Sequence, residues 1–240
     1  MHEYSCGALG HRAGSLINSH AMNTEIDVSI TDELNREPFP SCDVALKEWS
    51  VTCQALARGR QIALLRKGGL LDSEGGVFAL EHGRFWLQPT YLHQEQHLVK
   101  PEHRDLFAAS DAARTDAART EGEGREWLVL QLFAQVENVW SLSLDDEDAL
   151  TRAPHIWSRD YLDVRWNYKP QHPLLCVALR VYQTEPPHRL PMKTQWTGCR
   201  SWIEVGALST TNARPVLDDV EWARQSDELQ NALGAADGGA

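Results

Sequence analysis

The chain has 240 residues, an apolar fraction of 42% and a formal net charge of -11 at pH 7. Its length is enough for one large domain or two small ones, and the apolar fraction is enough to build a proper core. The negative charge opposes binding along phosphate-rich polymers, which excludes generic DNA coating and leaves nucleic-acid binding only to a local basic patch.

The cysteines and the apolar runs exclude further classes. The five cysteines are widely spaced and include no Cys-x-x-Cys pair, so neither a disulfide framework nor a cysteine zinc ribbon is indicated. No apolar run approaches the length of a membrane span, and the N-terminus lacks the order of basic and apolar segments found in signal peptides. We therefore expect a cytoplasmic protein that does not interact with a membrane.

The first segment, residues 1–41, has no sustained periodicity and many small polar residues, which predicts a disordered arm. Met22 lies late in this arm and is an alternative start residue. Residues 43–57 then predict an amphipathic helix with Asp43 as its N-cap and Gly59 just past its end. Its apolar face has four residues at helical spacing: Leu46, Trp49, Cys53 and Leu56.

The middle of the chain predicts mostly strands, because short apolar runs there are bounded by turn residues. The predicted strands cover residues 61–66, 77–80, 84–88, 127–136, 174–182 and 202–205. The first two form a hairpin around a glycine-rich loop, and Pro89 ends the third.

Helices are predicted near residues 101–113, 145–150, 155–166 and 216–233. The pentapeptide Asp-Ala-Ala-Arg-Thr occurs twice in tandem at 111–120, and a solvent-facing helix end or loop tolerates such a duplication best. Because strands outnumber helices in the middle and do not alternate strictly with them, we predict an α+β fold. The expected architecture is a mixed, mainly antiparallel sheet or a partly open barrel with flanking helices. The expected domain covers residues 42–210, and a C-terminal helix with a flexible tail covers 211–240.

The first candidate site is a basic pair at the end of a strand. Arg66 and Lys67 precede Gly68 and Gly69, and backbone N–H groups and cations can converge on an anion at such a turn. The spacing of a P-loop is absent, which excludes a Walker-type nucleotide site. The alternative is a hairpin whose basic residues are solvated.

Two further candidates follow in the chain. Glu81 and His82 lie before a predicted strand, where a carboxylate and an imidazole can act as acid and base. Neighbouring residues on a strand point to opposite faces, so at most one of them reaches a given cavity. Thr90, His93 and Gln94 follow the same strand and form the best single contact segment, since N–H groups and short polar side chains are available there.

A metal site is not predicted, although two histidines are four residues apart. His93 and His97 could share a helical face, but the order His-Gln-Glu-Gln-His differs from the metalloprotease pattern because Glu95 turns away from His93.

In the second half, Arg165 and Lys169 stand beside aromatic residues and can clamp a base or a phosphate. Cation–π packing within the fold is the alternative for each. Cys199 is a weaker candidate nucleophile, because no histidine partner is visible in the sequence.

Four of these segments together resemble a bacterial family known only as a domain of unknown function. They are Leu46-Lys47-Glu48-Trp49, the Leu-Leu-Arg-Lys-Gly-Gly run at 64–69, Pro-Thr-Tyr-Leu-His-Gln at 89–94 and Gly198-Cys199-x-Ser201-Trp202. The resemblance covers about residues 43–206. It implies kinship, but it supplies no activity, cofactor or catalytic residue for this chain.

Three functional hypotheses follow. The first is a protein that binds an anionic ligand, such as a nucleotide or nucleic acid, through Arg66, Lys67, Thr90, His93 and Gln94, with Arg165 and Lys169 as further contacts. The second is a metal-assisted phosphoester hydrolase, with His82 or His93 as general base, Glu81 as a metal or water ligand and Lys67 stabilising charge. The third is a scaffold for a protein partner. The sequence identifies no cofactor.

Overall fold

The computed structural model describes residues 40–67, 79–118, 127–198 and 200–234. The strands are β1 (Ser41–Trp49), β2 (Ala63–Arg66), β3 (Arg84–Thr90), β4 (Trp127–Leu142), β5 (Leu174–Pro191), β6 (Trp202–Ser209) and β7 (Ala213–Pro215). The α-helices are α1 (Ser50–Ala57), α2 (Asp105–Ala118), α3 (Glu147–Arg152), α4 (Arg159–Asn167) and α5 (Asp219–Gly234).

One sheet of seven strands organises these elements. Its order is β2-β5-β4-β3-β1-β6, and β7 also pairs with β5. Only β1 and β3 run parallel, while every other described pairing is antiparallel. The sheet does not close into a barrel, and the prediction of an α+β fold with a mixed, mainly antiparallel sheet is confirmed. No helix in the described part of the chain is both long and apolar enough to cross a lipid bilayer.

The short helix α1 is almost entirely buried because it packs between two apolar clusters. Val51 and Ala55 belong to the cluster that also contains residues of α3, α4 and α5. Cys53 and Leu56 belong to the cluster formed by β1 to β5. Burial on both sides stabilises a helix of eight residues that would be marginal on its own.

The prediction of one helix over 43–57 is wrong in its first half. Residues Ser41–Trp49 form β1, and α1 begins only at Ser50, so Asp43 is not an N-cap. The strand is fixed by ladders to β3 on one side and to β6 on the other. The spacing of the apolar residues resembled that of one helix because Leu46 on the strand and Cys53 and Leu56 on the helix contact the same apolar cluster.

The boundaries of two other elements also differ from the predicted ones. The strand predicted to end before Pro89 continues to Thr90, because β1 pairs with β3 as far as Thr90 although β4 pairs with it only as far as Leu87. The helix predicted at 155–166 begins at Arg159, with Ser158 as its N-cap. Val164 in this helix is 57% exposed.

The C-terminal helix, predicted at 216–233, runs over Asp219–Gly234. Leu229 and Leu233 are buried in the cluster that holds α3 and α4. The Trp222 Nε1 donates a hydrogen bond to the Leu179 carbonyl in β5 at 3.0 Å. Most of the predicted hairpin and most of the N-terminal arm lie outside the described residues.

Candidate functional site

A buried ion pair joins segments from both halves of the chain. Arg66, at the end of β2, donates to the Glu48 carboxylate at 3.1 Å and to the Ser201 hydroxyl at 2.6 Å. The same guanidinium donates to the Lys47 carbonyl at 3.2 Å, so it links β2 with β1 and with the segment before β6. These strands lie at distant places in the order of the sheet, and the hydrogen bonds of Arg66 connect them.

The two regions singled out in the sequence therefore meet. The Thr90 hydroxyl donates to the Glu48 carbonyl at 3.0 Å, and the Lys47 ammonium donates to the Gly198 carbonyl at 2.9 Å. The Arg165 guanidinium lies over the rings of Tyr161 and Trp49, 4.9 Å and 5.8 Å from their centroids. Arg165 thus packs by cation–π contacts beside the ion pair.

Lys67 has a different environment from Arg66, although the two are adjacent. Its side chain is buried, with 3% of the residue exposed, and its ammonium donates to the Trp166 carbonyl at 3.1 Å. The ammonium also lies 5.7 Å from the Trp166 ring centroid. Burial lowers the pKa of Lys67, because water is removed from the charged amine. No carboxylate of the described residues is within ion-pair distance of this amine.

Lys67 lies at the floor of a pocket of about 380 Å³. Leu142 and Trp166 form the rest of the buried floor, and the rim is more exposed. The rim residues are Ser141, Ser143, Leu144, Asp145, Pro170, Gln171, His172 and Pro173. The buried Trp166 Nε1 has no hydrogen-bond partner among the described residues. A volume of this size is within the range of small-molecule sites.

Gln94 has a structural role in the described structure. Its side-chain oxygen accepts the Val51 N–H at 3.0 Å, and its amide donates to the Ser110 hydroxyl at 3.1 Å. The N-cap residue Trp49 makes no side-chain cap bond, so Gln94 supplies from outside the helix the acceptor that α1 lacks.

Replacing Gln94 with alanine should lower the free energy of unfolding by about 1–2 kcal/mol, because the Val51 N–H loses its acceptor. Urea denaturation measures this loss. The exposed Gln96→Ala protein is the matched control. A Gln94→Ala protein as stable as this control would contradict the capping role.

The remaining candidates do not converge on the pocket. His82 packs edge-on against Trp202, with ring centroids 5.0 Å apart, while Glu81 is exposed. His93 is exposed and has a φ of 62°, and the Lys169 ammonium lies over the Tyr168 ring at 5.4 Å. None of these four lines the pocket. Gly68, Gly69 and Cys199 lie outside the described residues.

The arrangement expected for a metal-assisted hydrolase is not found in the described part of the chain. No group of three histidine, cysteine, aspartate or glutamate residues there could hold a metal ion. His93 and His97 do not share a helical face, because only His97 lies in a helical turn, the 3-10 helix Gln96–Leu98.

Sequence reasoning missed several residues that the structure brings to the site. Glu48 and Ser201 are parts of the segments quoted for the family resemblance, but their charge and hydroxyl were not assigned a partner. Ser141, Asp145 and His172 line the pocket and carry no sequence signal. The one sequence signal for an ion pair at Glu48 is a carboxylate among apolar residues, because a charged side chain is rarely buried without a partner.

A search of curated proteins finds no relative of this chain. Among solved structures, the chain is similar to a crystal structure of a mutant of the ZmASCH protein from Zymomonas mobilis. The two are 11% identical, the match covers 79% of this chain and 98% of that chain, and the TM-score is 0.36. At this level the similarity carries no information about what the present chain binds.

A family model gives the clearer result. The model described as a domain of unknown function, DUF1802, matches residues 45–228, well over half of the chain. This confirms the resemblance inferred from the four sequence segments. The chain therefore belongs to the DUF1802 family.

Proposed function

We propose that the protein binds an anionic ligand, such as a nucleotide or a segment of nucleic acid, in the pocket above Lys67. One observation carries the proposal: a buried lysine amine lies at the floor of a pocket and has no carboxylate partner among the described residues. Burying a charge without a counter-ion costs free energy. An anionic ligand would supply the missing counter-charge. It would also accept hydrogen bonds from the ammonium N–H groups of Lys67 that do not donate to the Trp166 carbonyl.

The other residues first considered as ligand contacts take supporting roles in this proposal. Arg66 is held by Glu48 and Ser201, so its contribution is to fix the end of β2 and hence the position of Lys67. Thr90 and Gln94 bond to the backbone of β1 and α1. Ligand affinity should therefore depend most directly on Lys67.

Replacing Lys67 with methionine should weaken the binding of a phosphate-containing ligand by about ten- to a hundredfold, because one charge-assisted hydrogen bond is lost. The measurement is a thermal-shift screen of nucleotides and short nucleic acids, followed by titration of any hit. A ligand that prefers the folded state raises the melting temperature by mass action.

Lys100→Met is the matched control. The Lys100 amine also donates to a backbone carbonyl, that of His155 at 2.8 Å, and burial also lowers its pKa. Lys100 does not line the pocket. Equal losses of affinity in the two variants, or no loss in Lys67→Met, would contradict the proposal.

A thermal-shift screen in which no ligand binds would favour the scaffold hypothesis. If no nucleotide or nucleic acid raises the melting temperature of the wild-type protein, the pocket has no ligand of the proposed class. The hydrolase hypothesis has no specific structural observation in its favour.

A further inference from the structure

We infer that the ligand of this pocket is a single mononucleotide-like phosphate monoester rather than a strand of nucleic acid. The inference rests on the proposed function and specifies its ligand. It follows from how positive and negative charges are distributed within the pocket, at its rim and over the whole chain.

In the described part of the chain, one lysine and no arginine line the pocket. This lysine is Lys67, and it lies at the floor. The nearby Lys169 is held over the Tyr168 ring, and the nearby Arg165 over Tyr161. One buried ammonium can bind one phosphate group, which would have to enter the pocket ahead of the rest of the ligand.

The rim of the pocket carries a negative charge, in contrast to the amine at its floor. Asp145 lines the pocket and is exposed there, so its carboxylate would repel a second phosphate and accept hydrogen bonds from hydroxyl or amino groups. A mononucleotide combines the two requirements, because its phosphate can reach Lys67 while its ribose hydroxyls or base amino group meet Asp145.

The charge of the whole chain disfavours a polymer. A strand would lay successive phosphates across the surface of a protein with a formal net charge of -11, and its affinity depends on several phosphate contacts that release counterions. A mononucleotide needs only the local potential at the floor of the pocket. The volume of about 380 Å³ also fits one small molecule.

Salt dependence separates the two ligands. We would titrate the wild-type protein by calorimetry with adenosine 5′-monophosphate and with a single-stranded RNA dodecamer lacking terminal phosphates, at about 50 mM and about 200 mM salt. For the mononucleotide we expect the affinity to fall by about fourfold or less over this range, as for one phosphate contact. A strand that makes four phosphate contacts would lose about fiftyfold. Adenosine, which has no phosphate, should bind at least tenfold more weakly than its monophosphate.

The outcomes distinguish this inference from the proposed function. Tighter binding of adenosine 5′-monophosphate than of the dodecamer, with the shallow salt dependence and with loss in Lys67→Met, supports the inference. Tighter binding of the dodecamer, lost in Lys67→Met, overturns the inference and leaves the proposed function standing. If neither ligand binds, or if Lys67→Met binds as the wild type does, both fail.

Discussion

Replacing Arg66 with methionine is expected to lower the free energy of unfolding by about 3–5 kcal/mol, because it leaves the Glu48 carboxylate buried without its partner. The Glu48 side chain is only 6% exposed, and its carboxylate also accepts a hydrogen bond from the N–H of Trp49 at 2.7 Å. The substitution also removes the donor to Ser201 and to the Lys47 carbonyl. Urea denaturation of the two proteins at pH 7 measures the difference.

Arg180→Met is the matched control for this experiment. The side chains of Arg180 and Arg66 are similarly buried, with 12% and 14% exposed, but the partner of Arg180 is Asp219, whose side chain is 96% exposed. Removing Arg180 leaves that carboxylate in water, so we expect a clearly smaller loss.

A double-mutant cycle isolates the ion pair. Glu48→Gln together with Arg66→Met should be more stable than the sum of the single losses predicts, because the double variant leaves no unpaired buried charge. Additive losses, or a loss below about 1 kcal/mol in Arg66→Met, would contradict the role assigned to the pair.

The second large effect is a loss of stability in acid that depends on His155. This histidine is 5% exposed, and its Nε2 donates to the Leu150 carbonyl at 2.8 Å. Burial, assisted by the positive charge of Lys100, lowers the pKa of His155 to about 4. The usual value is about 6.5 in an unfolded chain.

The sign of the pH effect follows from these two values. Between pH 6.5 and pH 4 the unfolded chain binds a proton at His155 and the folded protein does not, so the stability falls as the pH falls. The neutral imidazole contributes its full stabilising effect above about pH 6.5, and up to about 3 kcal/mol is lost by about pH 4.

Urea denaturation at pH 7 and at pH 4.5, for the wild type and for His155→Gln, measures the effect. Glutamine keeps an N–H donor for the Leu150 carbonyl and does not titrate, so the stability of the variant should fall less between the two pH values. The exposed His97→Gln protein controls for the removal of an imidazole elsewhere. Equal losses of unfolding free energy between pH 7 and pH 4.5 in the wild type and in His155→Gln would contradict the prediction.

The candidate site was predictable in part. The four sequence segments were recognised as a set, and they do come together around Glu48 and Arg66. Lys67 was chosen for its charge next to glycines, and it lies in a pocket. The sequence could not separate Lys67 from Arg66, because what distinguishes them is a carboxylate 18 positions before Arg66 that reaches only one of the two.

His82 and His93 show the limit of reasoning from residue type. Both were chosen because imidazoles lie near the ends of a strand, but one packs on Trp202 and the other is exposed away from the pocket. His172, which lines the pocket, lies between Pro170 and Pro173 and has no feature that would single it out. Which imidazole reaches a cavity depends on how loops from distant parts of the chain fold over it.

The sequence by itself determined the acidic charge, the apolar runs that became β2, β4 and β5, the α+β class and the family. These properties are local or additive, because composition and short apolar patterns do not depend on contact partners. Only the tertiary structure decided that Ser41–Trp49 form a strand, that Arg66 pairs with Glu48 and that Lys67 lies at the floor of a pocket. The physical reason is that the hydrogen bonds of a strand and the counter-charge of a buried ion come from distant residues, so local periodicity cannot specify them.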